Sequence, residues 1–377
     1  MYFVRWVATF TSGVWARLAV LALSRPRAIT RNLLRLDNAK RTSEVSAMFN
    51  NLVNWGDVVG AYRAIRGGYL LPIIARIRPG RKQHVAAAWK VKKKSATGWW
   101  EIPAVVARWN RLISGDPDKD FCAYVGEKYL SARKGLVGIS LGSGTGQKVL
   151  RWQQVADFAR LTGYDLSESR VAAAQTLANE RGLNDVVRFE VADIYDLPWE
   201  PESLDIVIVE QSLHHFSNLE ILLKNINRAL RPEGLFLMNE YVGPNRFQWS
   251  DHQLQAANAL LRLLPKSYRA RDVDGRAQKK VYRPSRLQMI IRDPSEAIES
   301  ETILPLIRQE LSLLEMRSYR GALLNLALNG IWSNFRNENA QTKRLLEMCF
   351  SVEDALAEVA HVDDNFVVAI CHKQKKL

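Results

Sequence analysis

The 377-residue sequence predicts an α/β fold, a doubly wound parallel sheet with helices on both faces. Three observations predict it. From about residue 120, short apolar runs alternate with longer amphipathic ones. The glycine-rich stretch "GISLGSGTGQKVL" (138–150) follows the first apolar run directly. Charge divides the chain: residues 1–100 carry 18 Lys/Arg against three acids, whereas the remaining 277 are nearly neutral. The expected organisation is a basic, partly amphipathic extension over 1–100 and one domain over 101–377.

The elements follow in order. "LVGISLG" (136–142) reads as the first strand and 147–159 as a helix. "RLTGYDLS" (160–167) is the second strand, with Ser167 placed to cap a helix over 168–181. "VVRFEVAD" (186–193) and "LDIVIVEQS" (204–212) are strands three and four. A helix around 217–230 ends at "RPEG", and "LFLMNEYV" (235–242) is strand five. Helical insertions are expected at about 244–306 and 321–361, separated by the strand-like "LSLLEMRSY" and followed by a last strand, "NFVVAICHK" (365–373). In such sheets ligands lie at the carboxyl ends of the strands, so the residues just after each strand carry the information.

Composition narrows the class. Apolar residues at 47% and charged residues at 24% provide for a sizeable core. Cys122, Cys349 and Cys371 are far apart, with no Cys/His ligand spacing, so a reduced compartment is expected, with no disulfide framework and no metal. The leader "MYFVRWVATFTSGVWARLAVLALSRPR" has a longest uncharged run of 11 residues, against the roughly 20 needed to span a bilayer. On a helix, Phe3, Val7, Phe10, Val14, Leu18 and Leu21 share a face opposite Arg5, Thr9 and Ser12. That pattern suits an interfacial membrane helix over residues 1–36, a helix packed on the enzyme's own core, or a cleaved targeting segment. A second block, 58–100, holds ten Lys/Arg and no acid, ending in "WKVKKKSATGWW". Lys92 to Lys94 with Trp99 and Trp100 suit anionic lipid, a phosphorylated substrate, single-stranded nucleic acid or a solvated linker. No RNP, KH or zinc-finger pattern supports nucleic acid.

The glycine turn discriminates between nucleotide classes. A dinucleotide fingerprint needs a third glycine at position 147, which is Gln147, and a P-loop needs a terminal Gly-Lys-Ser/Thr. The observed spacing, Gly142-x-Gly144-x-Gly146, lets backbone approach a nucleoside with little or no phosphate. Together "SLGSGTG", "GYDLS", "VADIYDLP", "LDIVIVEQSLHHF" and "LRPEGLFLMNE" resemble, in order and spacing, a class I S-adenosylmethionine-dependent methyltransferase of the small-molecule, lipid and sugar branch. The resemblance implies an α/β, doubly wound Rossmann-like methyltransferase sheet with helical insertions and a basic helical N-terminal extension. It implies S-adenosylmethionine as cofactor, with Gly142, Gly144 and Gly146 against its methionine and ribose. Asp165, with Leu166 beside it, would accept the ribose hydroxyls or else cap a helix, although Ser167 is the better cap. Asp193 would accept the adenine amino group, Ile194 would cover the ring, and Glu210 would line the cleft. One position departs from the family: Ser140 stands where an acid usually helps to orient the methionine amino end.

What is methylated is constrained by absent motifs. "EQSLHHF" is not the Asn/Asp-Pro-Pro-Tyr of base N-methyltransferases, and there is no Pro-Cys nucleophile, so oxygen of a small molecule is the leading acceptor, with nitrogen or carbon of a small molecule as alternatives. His215, His214 and then Glu240 are the candidate catalytic residues, histidine's ordinary pKa suiting proton removal. Arg246, Trp249, His252, Tyr282 and Arg283 are candidates for contact with an anionic or sugar substrate. The leading expectation is a cytoplasmic O-methyltransferase of a glycan, lipid-linked or other small acceptor, peripheral at a membrane. The alternatives are an RNA or nucleoprotein methyltransferase with a basic arm, and a noncatalytic scaffold. An RNA arm does not need the apolar face of residues 1–36, whereas an interfacial helix does. Deleting residues 1–36 is therefore expected to release the protein from anionic liposomes with cofactor affinity unchanged. Co-sedimentation at two salt concentrations checks this, and a full-length protein that stays in the supernatant at low salt rules out an anchor.

Overall fold

The computed structural model describes residues 98–286, 289–290, 293–359 and 363–374. The amphipathic leader and most of the second basic block lie outside the described residues. Seven strands form one sheet in the order β3-β2-β1-β4-β5-β7-β6. They are β1 (Leu136–Leu141), β2 (Phe158–Asp165), β3 (Val187–Val191), β4 (Leu204–Glu210), β5 (Leu230–Tyr241), β6 (Leu311–Ser318) and β7 (Phe366–Lys373). The first five are parallel, as the alternating pattern predicts, but β7 runs antiparallel between β5 and β6. The order reverses at β1 and β4, which creates the crevice in which such sheets hold ligands.

Helices α1 (Pro103–Ser114) and α2 (Phe121–Val125) precede the sheet, and α3 (Gln147–Val155), α4 (Glu168–Glu180) and α5 (Leu219–Ala229) connect its strands. The central strands are apolar on both faces because helices cover both. In β4, Ile206 and Ile208 enter one core with Trp152 and Phe189, while Val207 and Val209 enter the other with Leu222 and Phe236. Helix α5 ends at Ala229, just before "RPEG" as expected, but β5 begins five residues before the expected 235, so "RPEG" is an irregularity within the strand.

The insertions supply α6 (Asp251–Leu263), α7 (Ile303–Glu310) and α8 (Ala340–Val359). Their own core joins Trp249, Leu260, Leu261, Trp332, Phe335 and Leu346 to Trp99, Ile102 and Val105. Trp99, at the end of the basic block, is therefore a core residue packed edge-on to Trp109, whereas Trp100 is exposed. A buried ion pair, Arg108 Nη1 to Glu353 Oε2 at 2.6 Å, ties α1 to α8. All three cysteines are buried and free, and burial pushes each thiol up, away from reactivity. No described helix is long and apolar enough to cross a membrane.

At the outer strand, Glu315 gathers the hydroxyls of Tyr124 and Tyr129, the Lys128 ammonium and the Arg317 guanidinium within 3.0 Å. Burial opposes its ionisation, but these four donors overcome that cost and hold its pKa at about 2. A carboxylate depressed in the folded state stabilises above its unfolded pKa, roughly 4.3, and loses that contribution as pH falls to about 2. Glu315→Gln is expected to lower stability at pH 7 by on the order of 2–3 kcal/mol. It is also expected to flatten the stability curve between pH 4.5 and 2, which denaturant titrations at several pH values would measure.

Candidate active site

The glycine turn sits where β1 hands over to α3. Gly142, Gly144 and Gly146 have φ of 67°, 57° and 81°, the left-handed region in which side chains are strained. Their surroundings differ. A Cβ on Gly142 would lie 2.5 Å from Ser212 Cβ, and one on Gly146 would lie 2.7 Å from the Phe189 ring and 2.8 Å from Ala174 Cβ. Those two glycines let the turn pack on the protein itself, rather than leaving room in their Cβ direction for a cofactor. Only Gly144 is open, with the tip of Arg170 3.6 Å away.

Asp165 ends β2 and reaches across the turn. Its Oδ2 accepts from Gly144 N–H and its Oδ1 from Ser167 N–H, both at 2.9 Å. Ser167 occupies the position before α4 without a side-chain capping bond to the helix. An ionised carboxylate has about four acceptor sites. After two backbone bonds, and with Arg170 Nη1 3.9 Å from Oδ2, the Asp165 carboxylate keeps acceptor capacity that fits a ribose diol. Beside it, the Ser143 hydroxyl is buried with no hydrogen-bond partner among the described residues. A buried hydroxyl left this way costs stability unless a ligand satisfies it. The turn therefore fits a polar nucleoside-type ligand.

The other cofactor-side residues divide. Asp193 Oδ1 accepts from Tyr195 N–H at 3.1 Å, fixing the loop after β3. Ile194, expected over the adenine ring, is only 6% exposed and packs in the core beside Trp199. Leu166 is partly exposed, and Val191, paired with Asp165 across β2 and β3, is 50% exposed. These two offer more apolar surface than Ile194, and the sequence reading did not single out Val191. Glu210 is tied to α3, its Oε1 accepting from the Trp152 indole at 2.7 Å. Ser140 is buried within β1.

Across the crevice, β4 is followed by a short turn carrying Leu213, His214 and His215. Glu240, fully buried in β5, accepts from the backbone N–H groups of Ser212, Leu213 and Tyr241 at 2.6–2.8 Å and from His214 Nδ1. Burial opposes its ionisation, but the His214 charge and the N–H donors hold its carboxyl below the usual range. His214 Nε2 faces Glu296 Oε1 at 3.5 Å. Burial works against protonating His214, yet the two carboxylates outweigh it and raise its pKa above neutrality. An imidazolium has no free lone pair, so His214 does not fit the expected role of proton acceptor. Glu240 does not fit it either, since its oxygens are committed to four donors.

His215 differs. Burial and the neighbouring His214 charge lower its pKa, so the ring is neutral. Its Nδ1 lies 3.3 Å from Ser295 Oγ, and that hydroxyl donates to Asp293 Oδ1 at 2.5 Å. A serine already donating to a carboxylate must accept from the ring, so Nδ1 carries the proton and Nε2 the lone pair. Asp293, Ser295 and Glu296 come from the first insertion, about 80 residues away, and nothing in the sequence marked them.

That insertion is strapped down by residues expected to meet substrate. Arg246 donates through Nη1 to Glu296 O (2.8 Å) and through Nη2 to Pro294 O (2.6 Å). Arg283 bonds Trp249 O and Asp251. Both guanidinium groups serve the fold, because backbone carbonyls of a tight loop need donors. Trp249 is buried and stacked on Phe247, which meets Tyr241 edge-on, and Tyr241 in turn meets His214. His252 and Tyr282 are exposed on the surface.

Residues 139–238 match a family model described as "Methyltransferase domain". The 27-O-demethylrifamycin SV methyltransferase of Amycolatopsis mediterranei is 31% identical over 104 residues, covering 28% of this chain and 38% of that protein. The sterol 4-C-methyltransferase strm-1 of Caenorhabditis elegans is 26% identical over 130 residues, covering 34% and 38%. The chain thus spans about two-fifths of the length of these curated relatives. A crystal structure of geranyl diphosphate C-methyltransferase from Streptomyces coelicolor A3(2) aligns over 79% of this chain and 99% of that one, at 12% identity and a TM-score of 0.46.

Proposed function

We propose that this chain, whose residues 139–238 match a methyltransferase domain, is a class I S-adenosylmethionine-dependent methyltransferase that methylates an oxygen of a small-molecule acceptor. The observation that carries cofactor use is the Asp165 carboxylate joined to Gly144 N–H beside the unpartnered Ser143 hydroxyl. These residues would hold the nucleoside, with Asp193 and the apolar surfaces of Leu166 and Val191 on its base side. When bound, the cofactor supplies a methyl carbon already activated by a sulfonium.

What remains for the protein is to align the acceptor, exclude water and take a proton. Ser212 Oγ donates to Leu141 O at 2.7 Å, and Ser212 backs Gly142, so the histidine turn and the glycine turn are fastened together. An acceptor hydroxyl held between them would meet His215, whose Nε2 is the ring atom able to receive its proton. Glu240 and His214 position that turn without taking part in the transfer. Tyr241, Phe247 and Trp249 pack as an aromatic row against His214. The candidate acceptors are the glycan, lipid-linked and other small-molecule classes named above.

Asp165→Ala is expected to weaken S-adenosylmethionine binding by about 1.5–3 kcal/mol, roughly 10- to 150-fold. Asp165→Asn, which can still accept from Gly144 N–H, should lose less. Calorimetry on the folded variants checks both, and unchanged affinity removes Asp165 from the site. Independently, His215→Ala is expected to lower turnover by about 10²-fold while leaving cofactor affinity nearly intact. Full turnover in that variant would mean that catalysis proceeds by alignment alone.

A further inference from the structure

We propose that His214, His215 and Glu296 form a binding site for a divalent transition-metal ion of the zinc class. One ligand atom from each of the three lies within 4.8 Å of the other two. The rings sit side by side, their centroids 4.1 Å apart. Two imidazoles and one carboxylate are the donor set of open, three-ligand zinc sites, and iron(II) accepts the same set.

Proximity alone would be weak support, and the outer contacts strengthen it. Metal-ligating histidines almost always direct their second ring nitrogen at a carboxylate, carbonyl or hydroxyl that fixes the ring. Both rings here do so through Nδ1: His214 to the fully buried Glu240, and His215 to Ser295, which is backed by Asp293. Nε2 is then the atom that each ring would turn to an ion, with His214 releasing its second proton on binding. His214 Nε2 and Glu296 Oε1 are 3.5 Å apart, longer than a charge-assisted hydrogen bond but close to the roughly 3.4 Å that separates two ligands on one tetrahedral zinc. Glu296 is 27% exposed on its side chain, which gives an ion a path from solvent. Its own loop is fixed by Arg246 through the Glu296 and Pro294 carbonyls, so the carboxylate is presented by a held backbone. No sequence spacing reveals the site, because two adjacent histidines meet a glutamate some 80 residues on.

Three protein ligands leave a fourth position open. If methyl transfer to oxygen is the reaction, an acceptor hydroxyl at that position would lose its proton to solvent while the ion holds the oxyanion, in place of His215 acting as base. That use rests on the proposed function; the binding site does not. The test uses the full-length protein, stripped with chelator and titrated calorimetrically with Zn²⁺, with Co²⁺ absorption as a second readout of coordination. One ion per chain is expected, with affinity reduced at least 10-fold in Glu296→Gln, a partly exposed change that spares the core. Ser295→Ala, which removes the outer contact of His215, should reduce it 10- to 100-fold. No binding by the wild type, or binding unchanged in Glu296→Gln, overturns the site. S-adenosylmethionine affinity measured on the same stripped sample reports separately on the proposed function. Both uses of His215 predict lost turnover in His215→Ala; turnover that survives chelation overturns the ion's part in the reaction.

Discussion

A single buried carboxylate organises the crevice. Glu240 has no exposure to water, and four donors converge on it from the turn after β4 and from its own strand. An uncompensated charge at that depth would cost several kcal/mol, so the backbone of Ser212 and Leu213 has little freedom to leave it. The effect propagates. Ser212 in turn grips Leu141 at the end of β1 and fills the space that a side chain on Gly142 would need. Removing Glu240 would therefore loosen both the histidine turn and the glycine turn.

Electrostatic separation of the two histidines follows from the same arrangement. Between Glu240 and Glu296, His214 holds its proton; next to that charge, and buried, His215 does not. Adjacent residues of identical chemistry thus reach opposite charge states. The sequence ranked His215 first, but the pair "HH" does not show which ring is charged, since each has the same unperturbed pKa. Only the directions of Glu240, Glu296 and Ser295 divide the roles.

The insertions prove to be more than a cover. They bring their own core, which also recruits Trp99, Ile102 and Val105 from the start of the described chain, and they deliver Asp293, Ser295 and Glu296 to the histidines. Arg246, which looked available for an anionic substrate, holds this loop, and Arg283 holds the start of α6. Charge in a sequence marks solvation or recognition equally well, and a loop's unpaired carbonyls compete for the same guanidinium groups as any ligand.

The order of strands and helices through β5, the glycine turn and the place of Asp165 were legible in the sequence. Each depends on short-range pattern: apolar runs of strand length, helical periodicity, and glycines at positions that require positive φ. The antiparallel β7, the burial of Ile194, the exposed shelf at Val191 and the carboxylates around His214 were not. These are decided by which distant segments pack together, and packing leaves no fixed spacing in the chain. What the sequence determined by itself was a parallel sheet with a nucleoside-shaped turn at its switch point. Which histidine is charged, and what surrounds it, was decided by tertiary structure, because burial and neighbouring charge exist only once the chain has folded.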